Sequence, residues 1–201
     1  AEDLPQAFDT PSILEAPVPC EKELSILVAR TPSGELAAYP PVEMVFHPAR
    51  NLVEYLLAPA DISDEQAQEA TRIARDVAHK LGVVGLLAVE LFLTPEGRIL
   101  VNESAPRPHN SGHHTIEANV TSQFEQHLRA ILDLPLGNTA TLSPAAMVNV
   151  LGEPDHWGIP RYQGLEQVLV ISGAHPHIYG KPTTKPYRKM GHVTVTAPSA
   201  E

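Results

Sequence analysis

The sequence predicts an α+β fold: an antiparallel sheet with flanking helices, followed by a small β-rich subdomain. Three observations lead there. The tetrapeptides TPSG (31–34) and TPEG (94–97) each separate two apolar runs, which is the pattern of a β-hairpin. The stretches DISDEQAQEATRIARDVAHKLG and VTSQFEQHLRAILDLPLG repeat apolar residues at helical spacing behind a capping residue. After DLPLGNTATLSP the chain turns to short β-rich pieces divided by glycine and proline, which sets the division at 1–143 and 144–201.

Taken in order, SILEAPV (Ser12–Val18) is a short apolar run closed by prolines, expected to be a strand running into a loop. Glu23–Arg30 and Glu35–Tyr39 form the first hairpin, and NLVEYLLAPA adds a strand before Pro59. Ser63 is an N-cap, with Asp64, Glu65 and Gln66 in the first turn, where acidic groups suit the helix dipole. Ala67, Ala70, Ile73, Ala74, Val77, Ala78 and Leu81 make the buried stripe of that helix, and Gly82 ends it. GLLAVELFL, TPEG and RILVNES form the second hairpin. The second helix starts at Thr121 or Ser122 and stops before Pro135. AAMVNVLG, EQVLVISGAHPHIYG and MGHVTVTA are the β-rich pieces.

Composition bounds the function. A chain of 201 residues with 43% hydrophobic content has a real core. No apolar run reaches the ~18 residues of a membrane helix, and no signal segment opens the sequence. One cysteine, Cys20, excludes an intrachain disulfide and fits a reducing compartment. A formal charge of −10 argues against broad contact with nucleic acid or anionic membrane, while leaving room for a local phosphate pocket. The chain opens on Ala1, inside what reads as the end of a helix; a fragment of a longer protein and a trimmed chain both fit.

The chemistry concentrates in VELFLTPEGRILVNESAPRPHNSGHHT. If Pro95–Arg98 form a four-residue loop, Thr94 faces Ile99 and Glu90 faces Glu103, with Phe92, Ile99 and Val101 on the same face. Opposed residues have Cβ atoms roughly 5 Å apart, and like charges placed there destabilise the ladder. A divalent cation held by one or two carboxylates plus substrate phosphates resolves the conflict. Asn102 points to the other face of an ideal strand and contributes only where the strand ends or twists. An exposed acid, or a register displaced by one residue, is the bland alternative. His109, His113 and His114 raise zinc as a rival, but Pro108 and Gly112 interrupt the helix that such spacing normally rides on. Anion binding suits the loop better: Arg107 offers a planar fork, His109 can donate, accept or shuttle a proton, and Asn110, Ser111 and Gly112 add hydrogen bonds. An ordered surface loop capped by its own polar groups also fits.

These residues carry a resemblance. NESAPRPHNSGHHT, with the segments on either side, resembles the 5-(carboxyamino)imidazole ribonucleotide synthases, ATP-grasp ligases of purine biosynthesis also described as the ATPase subunit of phosphoribosylaminoimidazole carboxylase. The likeness runs from ILEAPVPCEKELSILVAR to YGKPTTKPYRKMGHV. It implies the C-terminal part of an ATP-grasp domain with its small β-rich subdomain. It also implies a reaction in which ATP phosphorylates bicarbonate to carboxyphosphate and the carbon passes to the amine of 5-aminoimidazole ribonucleotide, releasing ADP and phosphate. By resemblance, Glu90 and Glu103 are the Mg²⁺ carboxylates, and Asn102 belongs to the same nucleotide-contacting step. Arg107, His109 and Asn110 handle bicarbonate and carboxyphosphate. Glu15, Ala16, Pro17 and Val18 form the adenine hinge, Glu23 accepts from the ribose hydroxyls, and His47 contacts the nucleotide. Lys181 and Arg188 take the ribonucleotide 5′-phosphate.

The resemblance further implies a cytoplasmic homodimer. The sequence departs from the family at Ala16, where a second acid or glutamine is common, and at Tyr187, where glycine is usual. It has no lysine before Lys22 and no glycine-rich phosphate loop, so the expectation is a C-terminal half, partnered by a missing N-terminal part and inactive alone. Two alternatives stand beside this reading: a formate-using transformylase of the same pathway, and a non-catalytic nucleotide-binding or assembly module.

Overall fold

The computed structural model describes residues 10–47 and 52–198. Nine strands form one antiparallel sheet: β1 (Lys22–Arg30), β2 (Leu36–Ala38), β3 (Val42–Phe46), β4 (Val53–Ala58), β5 (Gly85–Leu93), β6 (Ile99–Ala105), β7 (Ala145–Leu151), β8 (Ala174–Ile178) and β9 (Lys189–Thr196). Their order is β6-β5-β1-β3-β4-β7-β9-β8, with β2 paired to β1. The helices are α1 (Asp64–Leu81), α2 (Thr115–Ala118), α3 (Gln123–Ile131) and α4 (Leu165–Leu169).

β1 is the centre of the sheet and is buried on both faces from Leu24 to Ala29. On one face α1 lays Ala70, Ala74 and Ala78 against Leu24, Ile26 and Val28 of β1 and Leu87, Val89 and Leu91 of β5. Alanine at each contact lets the helix approach the sheet closely. α1 begins as its sequence predicts: Ser63 Oγ accepts from Gln66 N–H, the Gln66 side chain returns the bond, and Gly82 closes the helix at φ +61°. Leu81 departs from the predicted stripe and is largely exposed. On the other face α3 packs Ala130 near Leu27, Ala29, Leu86 and Ala88. The side chain of Ser122 caps α3 at Glu125 N–H.

Three expectations are corrected. Ser12–Val18 forms no strand: prolines bracket it, it pairs with no strand among the described residues, and Ile13 and Leu14 lie open to solvent. The run EQVLVIS, β-branched enough to read as a strand, contains the short helix α4, which packs on β8. In the second hairpin Leu93, not Thr94, faces Ile99; Thr94 instead closes the turn through its N–H to Arg98 O.

The β-rich segment is not set apart from the sheet. β7 pairs with β4 through Tyr55↔Val148 to Ala58↔Ala145, and β9 pairs with β7. This continuity makes β9 part of the same sheet as β5 and β6.

Candidate active site

The β5–β6 hairpin brings Glu90 opposite Glu103. It does so by an unexpected route. From Leu93↔Ile99 to Leu91↔Val101 the register lies one residue away from the predicted one, and a bulge at Asn102 restores it. Without that extra residue Asn102 would oppose Glu90, and Glu103 would turn to the α1 face. Ile99 packs with the α1 cluster, and Val101 follows it on that side, so neither flanks the two acids as the simple alternation implied. Bulges re-aim side chains in this way beside active sites.

Glu90 is mostly buried and Glu103 is exposed. Burial pushes the Glu90 carboxyl up to about 7, and the charges of Glu103 and then Glu23 add to the shift. Glu23, two positions before Ser25 on the same face of β1, is also raised by burial. The site thus gathers negative charge that its own cations only partly offset.

The loop after β6 is fastened to α3. Gln123, fully buried, accepts from His109 N–H at 2.8 Å and donates to His109 O at 2.8 Å. It also meets His113 Nδ1 at 3.0 Å. Ser111 Oγ joins Ser25 Oγ at 2.7 Å, tying the loop to the central strand. His109 Nδ1 accepts from Ser111 N–H and sits 2.8 Å from its Oγ. That leaves the proton of the neutral ring on Nε2, 3.6 Å from Glu90 Oε1. Burial, then Arg107 and Lys189, push the His109 pKa down to about 4, so the ring is neutral at pH 7.

Glu90, Glu103, His109, Asn110 and Ser111 line one cavity of about 210 Å³ with Lys189 from β9 and an apolar wall of Met44, Phe46, Leu52 and Val53. Arg107 stands beside it, exposed, its guanidinium donating to Pro108 O. Asn102 is exposed at the bulge. His47, whose N–H donates to Leu52 O, follows directly on Phe46 of the cavity wall. Glu15, Ala16, Pro17 and Val18 are exposed and lie outside the cavity lining. Lys181 and Arg188 belong to the β8–β9 connection. Lys181 Nζ donates to Lys189 O and sits over the Tyr179 ring, and Arg188 donates to Thr183 O and Oγ1. Tyr187, the departure beside Arg188, takes φ +59°, a conformation glycine adopts freely.

The histidines of the loop have separate partners. His114 is buried with Nδ1 on Ser111 O, His113 stacks on His192, and no group of three His, Cys, Asp or Glu side chains able to hold a metal ion occurs among the described residues.

Two residues of the site went unseen in the sequence. Lys189 carries no local signal that separates it from the neighbouring bases Lys185 and Arg188. Asn149 had a signal: it occupies an inward position of AAMVNVL, where the alternation calls for an apolar side chain.

A family model described as the ATP-grasp domain matches residues 1–124. The chain belongs to the ATP-grasp family. Residues 145–201 of this ATP-grasp chain match a second model, the phosphoribosylaminoimidazole carboxylase C-terminal domain. The N5-carboxyaminoimidazole ribonucleotide synthetase structure from Thermotoga maritima is 52% identical with a TM-score of 0.89, covering 98% of this chain and 53% of that one. The Aspergillus clavatus N5-carboxyaminoimidazole synthase, solved with ADP and 5-aminoimidazole ribonucleotide, is 39% identical with a TM-score of 0.83, covering 91% and 48%. The N5-carboxyaminoimidazole ribonucleotide synthase of Bacillus subtilis is 44% identical over 182 residues, 90% of this chain and 46% of its own length. The ATP-grasp chain therefore spans about half the length of the relatives it matches. Among its described residues no helix is long and apolar enough to cross a membrane.

Proposed function

We propose that the protein carrying this chain is an ATP-dependent ligase that carboxylates 5-aminoimidazole ribonucleotide with bicarbonate. The Glu90–Glu103 pair is the observation that carries the reading. Two opposed carboxylates, one held near pKa 7 by burial and repulsion, form a site that is stabilised when a divalent cation enters. Their all-oxygen chemistry fits Mg²⁺, which Glu90 and Glu103 would hold. When bound, the ion neutralises phosphate charge during transfer.

The chain's own groups supply the rest. Glu23 accepts from the ribose hydroxyls, Asn102 at the bulge and His47 contact the nucleotide, and Glu15–Val18 meet the adenine. Arg107 presents its fork to the carboxylate-like anion. Neutral His109 offers Nε2–H to an oxygen of the same anion. A bicarbonate oxygen bonds to the γ-phosphorus as the bond to the bridging oxygen of ADP breaks. The amine of 5-aminoimidazole ribonucleotide then attacks the carboxyl carbon. Phosphate leaves with the C–O electron pair and the nitrogen loses a proton, giving the carbamate. Lys181 and Arg188 take the 5′-phosphate of the ribonucleotide. The apolar wall of Met44, Phe46, Leu52 and Val53 limits water at an intermediate that hydrolyses readily. The working form is a cytoplasmic homodimer that includes an N-terminal part beyond this chain, and the 201-residue chain alone is inactive.

The test is ADP release by the purified full-length protein with Mg-ATP and 5-aminoimidazole ribonucleotide. Release that requires bicarbonate is expected. Release triggered by formate instead would assign the protein to the transformylases, and robust bicarbonate-dependent turnover by the 201-residue chain would overturn the half-site reading. Sedimentation of the full-length protein as a monomer would overturn the dimer.

A further inference from the structure

Tyr179 directly follows β8, and the Lys181 ammonium sits over its ring, with Nζ 5.4 Å from the centroid. Lys181 also donates one N–H to Lys189 O, which leaves two donors for a ligand. An ammonium over the face of a tyrosine ring is drawn to the ring's quadrupole, and the attraction grows as water is excluded. The ring therefore favours one place for a charge carried on a long, flexible stem.

The ring is itself held in place. The Tyr179 N–H donates to Met190 O at 3.0 Å, which ties the residue to β9. The phenol oxygen and His192 Nδ1 lie 2.9 Å apart. The ring meets His192 at a centroid distance of 5.7 Å with the planes tilted by 52°, and meets His113 edge-on at 6.1 Å. His192 is stacked between His113 and His177, His177 Nε2 meets Glu117 Oε1, and His113 Nδ1 meets Gln123. None of these three imidazoles lines the cavity of the two acids, and the reaction derived above uses none of them. Burial lowers His192 to about 3 and His113 to about 4, so neither imidazole against the ring sets a positive charge beside the ammonium at pH 7. Burial also raises the Tyr179 phenol, which keeps its proton.

We propose that Tyr179 is a positioning residue for the ribonucleotide, its ring face setting the place of the Lys181 ammonium that meets the 5′-phosphate. This rests on the assignment of Lys181 to that phosphate above and adds to it the side chain that holds the lysine ready. A phosphate gains most from an ammonium already in place, because the rotamer freedom of the lysine is lost before the ligand arrives.

The experiment is steady-state kinetics of the full-length protein, wild type against Tyr179→Phe, Tyr179→Leu, Lys181→Met and the Tyr179→Leu/Lys181→Met double variant. Mono-, di- and trifluorinated phenylalanines are also placed at position 179. The ribonucleotide and Mg-ATP are varied separately. Tyr179→Phe keeps the ring, so KM for the ribonucleotide is expected to stay within about threefold of wild type. Fluorination nearly preserves the size of the ring but drains its negative face. That KM is therefore expected to climb stepwise through the series, reaching about tenfold with the trifluorinated ring and with Tyr179→Leu. KM for Mg-ATP and kcat are expected to stay within about threefold, because the ring acts on the other substrate in its ground state. The double variant is no worse than Lys181→Met alone, since the ring works through that ammonium. A flat fluorinated series, a Tyr179→Phe variant as weak as Tyr179→Leu, an equal rise for Mg-ATP, or a double variant about tenfold worse than Lys181→Met would overturn the proposal alone. Lys181→Met with an unchanged KM for the ribonucleotide, or a wild type without bicarbonate-dependent ADP release, would overturn the underlying reading and this proposal with it. Should Tyr179→Leu show no thermal transition, the fluorinated series decides by the same criterion.

Discussion

Asn102 is the one residue of β6 with no partner in β5, and the face on which Glu103 lies depends on it. Simple alternation from the TPEG turn reached the right opposition of Glu90 and Glu103 through two displacements that cancel: a tighter turn and a bulge. Turn chemistry is legible in a sequence because it is local. A bulge is not, since nothing about Asn102 itself separates it from an ordinary strand residue. Gly112 shows a different kind of constraint. A Cβ there would lie 2.4 Å from Leu27 Cδ1 and 2.6 Å from Gln123 Oε1. Gln123 cannot yield, because both ends of its amide are bonded to the backbone of His109. Gly112→Ala is therefore expected to cost about 2 kcal/mol through overpacking, read as a lower urea midpoint at unchanged m-value. An unchanged midpoint would show the loop to be softer than this packing implies.

α1 was readable because each local cue agreed with the next. Ser63, Gln66, the alanine stripe and Gly82 mark α1 from end to end, and the structure places the caps on those residues. Ser63→Ala is expected to lower stability by about 1 kcal/mol, measured by denaturant unfolding. α3 reads differently. Its outer face carries Phe124, Leu128 and Ile131, and its inner face carries Gln123, Gln126 and Ala130. The glutamines face inward to bind loop backbone: Gln123 clamps His109, and Gln126 exchanges bonds with Gly137 N–H at 2.7 Å and Gly137 O at 2.8 Å. A periodicity argument detects the helix but not that inversion, because hydrogen-bond partners distant in sequence decide it. Gln123→Ala leaves His109 N–H and O unpaired and is expected to cost about 2 kcal/mol in the same measurement. α4 and Ser12–Val18 were misread for a related reason: β-branched runs become strands only where a neighbour is available to pair.

At the scale of the molecule, the sheet joins sequence-distant segments that carry separate parts of the site. β1 supplies Glu23 and Ser25, β5 and β6 the acids, the following loop His109 and Asn110, and β9 Lys189. The acids and the loop were legible because they share one contiguous motif. Asn149 and Lys189 were not, since their approach depends on the β4–β7 pairing across a long separation. The same assembly buries a set of imidazoles. His192 stacks between His113 at 4.7 Å and His177 at 4.5 Å, and His177 Nε2 meets Glu117 Oε1 at 2.6 Å. Burial lowers His113 and His114 to about 4 and His192 to about 3. The unfolded chain takes up these protons near pH 6.5, whereas the folded protein resists until about pH 4. Their contribution is therefore present above pH 6.5 and is lost as pH falls toward 4. Glu90, raised to about 7, has the opposite sign, gaining stability as pH falls from 7 toward 4.5, and Glu23 shares that direction, but these are two acids against four imidazoles once His109 is included. The urea midpoint of the protein is expected to fall between pH 7 and pH 5; a flat or rising midpoint would contradict neutral burial of the imidazoles.

The opposition of Glu90 and Glu103 is tested most directly by counting bound metal. Mn²⁺, an oxygen-loving stand-in for Mg²⁺, is titrated into the full-length protein with ADP present, and free ion is followed by electron paramagnetic resonance. Glu90→Gln and Glu103→Gln are each expected to weaken the nucleotide-dependent Mn²⁺ site by at least about tenfold, since each removes one of the two carboxylates available to the ion. Wild-type affinity in both variants would contradict the account.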